Sequence, residues 1–184
     1  MKTAEQKGSC TIPPGKATRW SFIVFGISGA VFGSAFATLW GFPHLWAAVV
    51  AFLTDYLRLA IALLLGMMLH ELVHAIFFAL FSKNGVRSVS FGINWKHFAP
   101  YVSCTDVLTV RQYAIATLMP GIVLGVLPCS YALISGAGWF LVFGVFFTAG
   151  AASDFLSAAD LSKLPRDARV TDHPDDAGFD WSIQ

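Results

Sequence analysis

The chain has 184 residues and a formal net charge of +1, with 56% of its residues hydrophobic and only 12% charged. A soluble domain carries about twice that charged fraction. The mean hydropathy of +0.65 comes from long apolar runs, which excludes an ordinary soluble protein and predicts an integral membrane protein. No basic stripe is evident in the sequence, so we expect no nucleic-acid partner.

Four apolar runs follow one another along the chain, at about 20–40, 56–81, 113–135 and 139–161. Each reaches the ~20 residues that a helix needs to cross the hydrocarbon core of a bilayer. The stretch at 45–53 before the second run predicts a short interfacial helix. The first run is longer than a signal-peptide core, so we interpret it as a retained anchor. The sequence therefore predicts an all-α integral membrane protein with four transmembrane helices.

Basic residues occupy alternate connections between these runs. The segment 41–55 and the turn near Gly136 contain none. The others contain Lys2, Lys7, Lys16, Arg19, Lys83, Arg87, Lys96, Arg111, Lys163, Arg166 and Arg169. Because Lys and Arg are enriched in cytoplasmic loops, we expect both termini and the loop between helices 2 and 3 to face the cytoplasm. This is the arrangement of a multi-pass protein of a bacterial inner membrane.

Three parts are expected along the chain: a cytoplasmic N-terminal tail at 1–19, a membrane domain at 20–164 and a cytoplasmic acidic tail at 165–184. We interpret the acidic tail as solvated, or alternatively as a flap over the cytosolic mouth of the site. The loop at 86–105 alternates with period two and predicts a β-hairpin, in which Pro100 favours an edge position.

The second run also carries His70, Glu71 and His74, within the sequence HELVH. Two histidines four residues apart lie on one face of a helix and can bind one ion. Neutral imidazoles hold Zn²⁺ and leave a position for water, whose pKa falls toward ~7, and Glu71 then serves as general base. Ionisable groups in an apolar span indicate a functional site. The alternative is a polar clasp between helices, with the histidines bonded to backbone or serine.

A catalytic zinc site needs a third protein ligand at the same depth. His74 precedes the end of the second run at Phe81 by seven residues, as Asp154 precedes the end of the fourth run at Leu161. The small residues at 150–153 allow close helix approach, so Asp154 is the predicted third ligand. The alternatives are Asp160, His97 and His173, and we interpret Asp160 as a surface partner of Lys163.

Three further features accompany these runs. Asp55 and Arg58 are one turn apart and predict an ion pair at the outer end of the second helix. His44 lies in the outer loop with no partner evident in the sequence, and we expect it at the surface. Pro120 lies inside the third run and predicts a kink, with room or free backbone groups beside the metal.

The combination of HELVH, MPG at 119–121, ASDFLSAADL at 152–161 and ARVTDHPDDAGF at 168–179 resembles a bacterial family of membrane zincin peptidases, a domain-of-unknown-function group. The resemblance covers most of the chain from about Trp20. More distantly, the chain is similar to the site-2 intramembrane metalloproteases, which place HExxH in one helix and an aspartate ligand in a later one. The resemblance implies His70, His74 and Asp154 as ligands and Glu71 as base. No asparagine accompanies Pro120, so no oxyanion-stabilising side chain is carried over.

We therefore expect a zinc metalloprotease that hydrolyses a peptide bond of a membrane or membrane-proximal substrate near the cytoplasmic side. Its partners would be the lipid bilayer and a membrane protein or peptide, which the hairpin edge could hold extended. The competing hypothesis is a non-catalytic metal-binding membrane scaffold or regulatory protein.

Overall fold

The fold is mostly helical, with strands near both termini and in one loop; the computed structural model describes residues 6–94, 99–173 and 177–183. The helices are α1 (Pro14–Trp40), α2 (Phe42–Thr54), α3 (Tyr56–Phe81), α4 (Val110–Pro120), α5 (Leu127–Ser135), α6 (Gly138–Gly150) and α7 (Ala152–Leu161). A π-helical segment, Gly121–Val126, joins α4 to α5. The strands are β1 (Gln6–Thr11), β2 (Val89–Asn94), β3 (Ala99–Cys104), β4 (Leu108–Thr109), β5 (Arg169–Asp172) and β6 (Gly178–Ile183).

Three helices are long and apolar enough to cross a membrane: α1, α3 and the continuous helix Val110–Ser135. A fourth candidate span consists of α6 and α7 together, which are bent by 48° at a short break. Large apolar side chains are exposed along these helices, including Phe22 (73%) and Leu64 (57%). A helix that is apolar all round is suited to lipid, so three or four helices could span a membrane, which is consistent with the predicted class.

Two sets of residues form compact units, which are described separately. The first comprises Met1–Ala17, Glu71–Met119 and Ser153–Gln184, and the second Thr18–His70 and Pro120–Ala152. The core of the first unit includes Phe78 of α3, Tyr113 of α4 and Phe179 of β6, all at most 5% exposed. This core therefore joins helices that carry the predicted site to a strand near the C-terminus.

A four-stranded antiparallel sheet in the first unit has the strand order β1-β6-β5-β4. Val170 and Phe179 are buried on one face, while the register partners Lys7 and Ser182 lie on the other. The alternation follows from the period of two in a strand. We predicted tails at both termini, where the chain instead forms this sheet. The expected all-α fold is therefore wrong in this respect, and the fold is mostly helical with two small sheets.

The predicted hairpin is confirmed in the loop between α3 and α4, where β2 pairs antiparallel with β3. Pro100 pairs with Ile93 in this two-stranded sheet, in which every strand is an edge. The Tyr101 ring lies over Gly92, where a Cβ atom would be 2.4 Å from it. The turn that contains His97 lies outside the described residues.

In the second unit, α6 packs closely on the π-helical segment. A Cβ atom on Gly125 would lie 2.3 Å from Thr148 Oγ1, and one on Gly144 would lie 2.6 Å from Gly125 O. The structure has the π-helical segment directly after Pro120, where we predicted a kink. A wide turn accommodates proline because the residue has no N–H to donate within the helix. The expected short helix before α3 is present as α2.

Candidate metal centre

Helix α3 places His70, Glu71 and His74 within slightly more than one turn. Asp154 lies in the first turn of α7, just after the break that separates α7 from α6. One potential ligand atom from each of His70, His74 and Asp154 lies within 4.8 Å of the others. The structure thus brings together the three side chains that sequence analysis selected as candidate ligands.

The His74 imidazole is held by hydrogen bonding and packing. It is only 9% exposed, and its Nδ1 lies 3.0 Å from the backbone carbonyl oxygen of Ala116 in α4. Because a carbonyl only accepts hydrogen bonds, this contact requires Nδ1–H and leaves the lone pair on Nε2. Nε2 lies 3.6 Å from Asp154 Oδ1, on the side where the candidate ligands converge. A fixed tautomer of this kind is what a metal-binding histidine needs.

The spacing of one pair of these donors is close to that around a tetrahedral zinc ion. Two ligand atoms that are each about 2.05 Å from tetrahedral zinc lie about 3.3 Å apart. The 3.6 Å between His74 Nε2 and Asp154 Oδ1 requires only a small adjustment. With His70 as the third donor, the fourth position would be open to water or substrate, as in catalytic zinc sites. A helix–helix clasp would not require a third donor at this point.

A layer of packed side chains supports His74. The Phe78 ring, one turn along α3, stacks on the His74 ring with centroids 6.1 Å apart. Phe78 in turn packs on Tyr113 at 5.5 Å. The Tyr113 hydroxyl and the Cys104 backbone N–H both donate to the carboxylate of Asp172 in β5.

The Asp172 carboxyl has a raised pKa because burial disfavours its charged form, and the hydrogen bonds from Tyr113 and Cys104 oppose that effect. Sequence analysis missed this supporting layer. Ala116 contributes a backbone carbonyl, which leaves no signature in the sequence, and Asp172 was interpreted as part of a solvated tail.

The rival ligands lie elsewhere or outside the described residues. Asp160 pairs with Lys163 at 2.5 Å, as predicted, and also accepts a hydrogen bond from the Cys10 thiol at 3.5 Å. His173 donates its backbone N–H to Gly178 O at 3.1 Å. Among the described residues, His173 belongs to no group of side chains that could hold a metal ion. His97 falls in the undescribed turn.

Two predictions concern the second unit. The expected ion pair of Asp55 with Arg58 is present at 3.3 Å and is exposed. His44 is exposed, as expected, and the structure gives it partners that are not evident in the sequence. Its Nε2 lies 2.9 Å from Gly136 O, and its ring stacks on Phe36 with centroids 5.6 Å apart. The sequence separation of 92 residues conceals this contact.

These features define a mostly helical protein with three or four helices that could span a membrane, in which two histidines and an aspartate converge. The chain belongs to the putative zincin peptidase family, whose model matches residues 63–169, more than half of the sequence. The match includes HELVH and Asp154, confirms the family resemblance and indicates a metallopeptidase. Neither the curated proteins nor the solved structures yield a match.

Proposed function

We propose that this protein is a zinc-dependent metallopeptidase that hydrolyses a peptide bond of a membrane or membrane-proximal segment near the cytoplasmic side. The convergence of His70, His74 and Asp154 ligand atoms within 4.8 Å carries the proposal. Membership of the zincin peptidase family supports the reaction class. The apolar character of α3 supports a substrate drawn from the membrane.

The residues of the chain supply binding and proton transfer. Bound zinc would polarise the scissile carbonyl and lower the pKa of a water molecule. Glu71 follows His70 directly on α3, and its carboxylate would take a proton from the attacking water and return it to the leaving amine. The hydrogen bond to Ala116 keeps the His74 ring oriented throughout.

The sheet supports four membrane crossings. Strands that share hydrogen bonds must lie on one side of a membrane, and β1, β4 and β5–β6 belong to one sheet. The number of crossings between β1 and β4, and between β4 and β5, is therefore even. Helices α1 and α3 account for the first two, and Val110–Ser135 with the bent α6–α7 pair accounts for the other two.

The basic residues favour the cytoplasm as the side that carries the sheet. Lys7 and Arg169 lie on its strands, Lys83 lies in the loop that contains β4, and Arg111 lies in the first turn of α4. The positive-inside rule then places both termini in the cytoplasm of a bacterial cell.

His74 lies seven residues from the end of α3. That spacing corresponds to about 10 Å of helix, so water would reach the site from the cytosolic side.

The decisive experiment is the zinc content of detergent-purified protein by mass spectrometry. We expect about one zinc per chain in the wild type and its loss in both His74→Ala and Asp154→Ala. Asp160→Ala is the matched control, because Asp160 lies on the same helix and pairs with Lys163. Zinc that survives in Asp154→Ala would remove Asp154 from the ligand set. A well-folded wild type without stoichiometric zinc would overturn the enzyme proposal.

A further inference from the structure

Asp172 is a charged residue that contacts the apolar core of the first unit. One carboxylate oxygen accepts from the Tyr113 hydroxyl of α4, and the other accepts from the Cys104 N–H of β3. Its register partner in β6 is Phe179, which is 1% exposed. The strand pairing of β5 uses backbone groups and does not require this side chain. A partly buried carboxylate is retained here at a desolvation cost, and its two hydrogen bonds fix the positions of α4 and β3.

Two series of contacts connect Tyr113 to His74. The first is the aromatic series in which Tyr113 packs on Phe78 and Phe78 stacks on the His74 ring. The second runs along α4, where Ala116 lies three residues from Tyr113 and its carbonyl accepts the His74 Nδ1–H at 3.0 Å. Phe78, Tyr113 and Ala116 are all at most 5% exposed, so a displacement of one is transmitted to its neighbours.

We propose that Asp172 and Tyr113 act as positioning residues for the metal site. Strand β5, which carries Asp172, would thereby contribute to zinc binding by the peptidase. The inference rests on the proposed function, because it concerns the affinity of the same three ligands for zinc. Neither residue belongs to the converging ligand group. Asp172 holds the Tyr113 hydroxyl, Tyr113 sets the position of α4 and of Phe78, and these two hold the imidazole of His74.

The test measures zinc affinity of the folded protein by competition with a chromophoric chelator. Tyr113→Phe removes one hydroxyl and retains the ring that packs on Phe78. Asp172→Asn replaces one accepting oxygen by an amide nitrogen that cannot accept. Outer partners of metal ligands typically contribute 10–100-fold in affinity, and these residues lie one layer further out. We therefore expect each variant to bind zinc about 3–10-fold more weakly.

The double variant distinguishes positioning through the Tyr113 hydroxyl from a general loss of packing in the first unit. If Asp172 acts through the Tyr113 hydroxyl, Tyr113→Phe/Asp172→Asn should bind zinc about as well as either single variant. Asp180→Asn is the matched control. It makes the same chemical change on the neighbouring strand, where Asp180 is the register partner of Thr171 on the opposite face of the sheet. This control should retain wild-type affinity.

Three results are informative in different ways. Wild-type affinity in both folded single variants would overturn the positioning role while leaving the peptidase proposal intact. A double variant whose loss equals the product of the single losses would show that the two residues do not act as a pair. A wild type that binds no zinc would overturn the proposed function itself, and this inference with it. If Asp172→Asn fails to fold, the milder Tyr113→Phe variant still decides between the first outcome and the expected loss.

Discussion

Lys7 of the first strand and Ser182 of the last strand are register partners in one antiparallel pair, although all the apolar helices lie between them in the sequence. This pairing constrains the membrane topology more strongly than hydropathy does. An odd number of crossings would separate the two strands by a bilayer. Because β4 pairs with β5 in the same sheet, the number of crossings between them is even, so the bent α6–α7 pair must act as a full span if Val110–Ser135 is one.

Labelling with a membrane-impermeant maleimide should detect this topology. Single cysteines at Ser182 and Lys83 should react only from the cytoplasmic side of oriented vesicles, and one at Ser135 only from the opposite side. Ser182 lies in the sheet, whereas Ser135 lies at the end of α5, between the two last spans. Labelling of Ser135 and Ser182 from the same side would reject four crossings.

Glu71→Gln should separate proton transfer from metal binding. The amide is nearly isosteric and cannot act as a base, so we expect unchanged zinc content. Peptide hydrolysis should fall by about 10²–10⁴-fold, the usual contribution of a general base. Zinc content and turnover would be measured on the same preparation, with Asp160→Asn as the control. Undiminished function would favour the metal-binding scaffold over the enzyme.

The Cys10 thiol should react slowly with alkylating agents at neutral pH. Its pKa is raised because burial disfavours the thiolate, and the hydrogen bond to Asp160 and the negative charge of Asp160 raise it further. A raised pKa means a smaller thiolate fraction at any given pH, so the rate should keep increasing above pH ~9, where an ordinary thiol is already ionised. Asp160→Asn should increase the rate at pH 7. Peptide-resolved mass spectrometry after iodoacetamide treatment measures both effects, and a fast wild-type reaction at pH 7 would contradict the account.

Gly125→Ala should destabilise the packing of α6 on the π-helical segment. The added Cβ would lie 2.3 Å from Thr148 Oγ1 and 3.0 Å from Thr148 backbone atoms, so the helices must move apart. Overpacking of this kind costs about 1–3 kcal/mol. Gly33→Ala is the matched control in α1, because a Cβ there meets nothing within 4 Å. Thermal unfolding in detergent should show a lower midpoint for Gly125→Ala alone, and equal midpoints would refute this.

Deletion of residues 167–184 tests whether the C-terminal segment is a flap or part of the fold. The deletion removes β5 and β6, and with them Val170 and Phe179, which are 0% and 1% exposed. Each buried apolar side chain contributes about 1.5–3 kcal/mol, so we expect a lower unfolding midpoint and lower turnover. A truncated protein with wild-type stability and increased cleavage would support the flap instead.

The three converging side chains of the candidate metal centre could be predicted because the relevant signals are local or depend on depth alone. His70 and His74 share a helix face by their spacing, and Asp154 lies at the same distance from the end of its run as His74 does from Phe81. The contact of His44 with Gly136 O, within the second unit, could not be predicted. It joins residues far apart in sequence through a backbone acceptor that every residue type possesses.

By itself, the sequence determined the number of apolar runs suited to a membrane, the hairpin and the family, because hydropathy and residue spacing are properties of short stretches. The tertiary structure alone decided that the two terminal segments form one sheet and that Asp172 and Ala116 support His74 from other elements. Register partners such as Gln6 and Ile183 are separated by nearly the whole chain. Short polar strands acquire their structure only from such partners, since an isolated strand has no hydrogen bonds of its own to stabilise it.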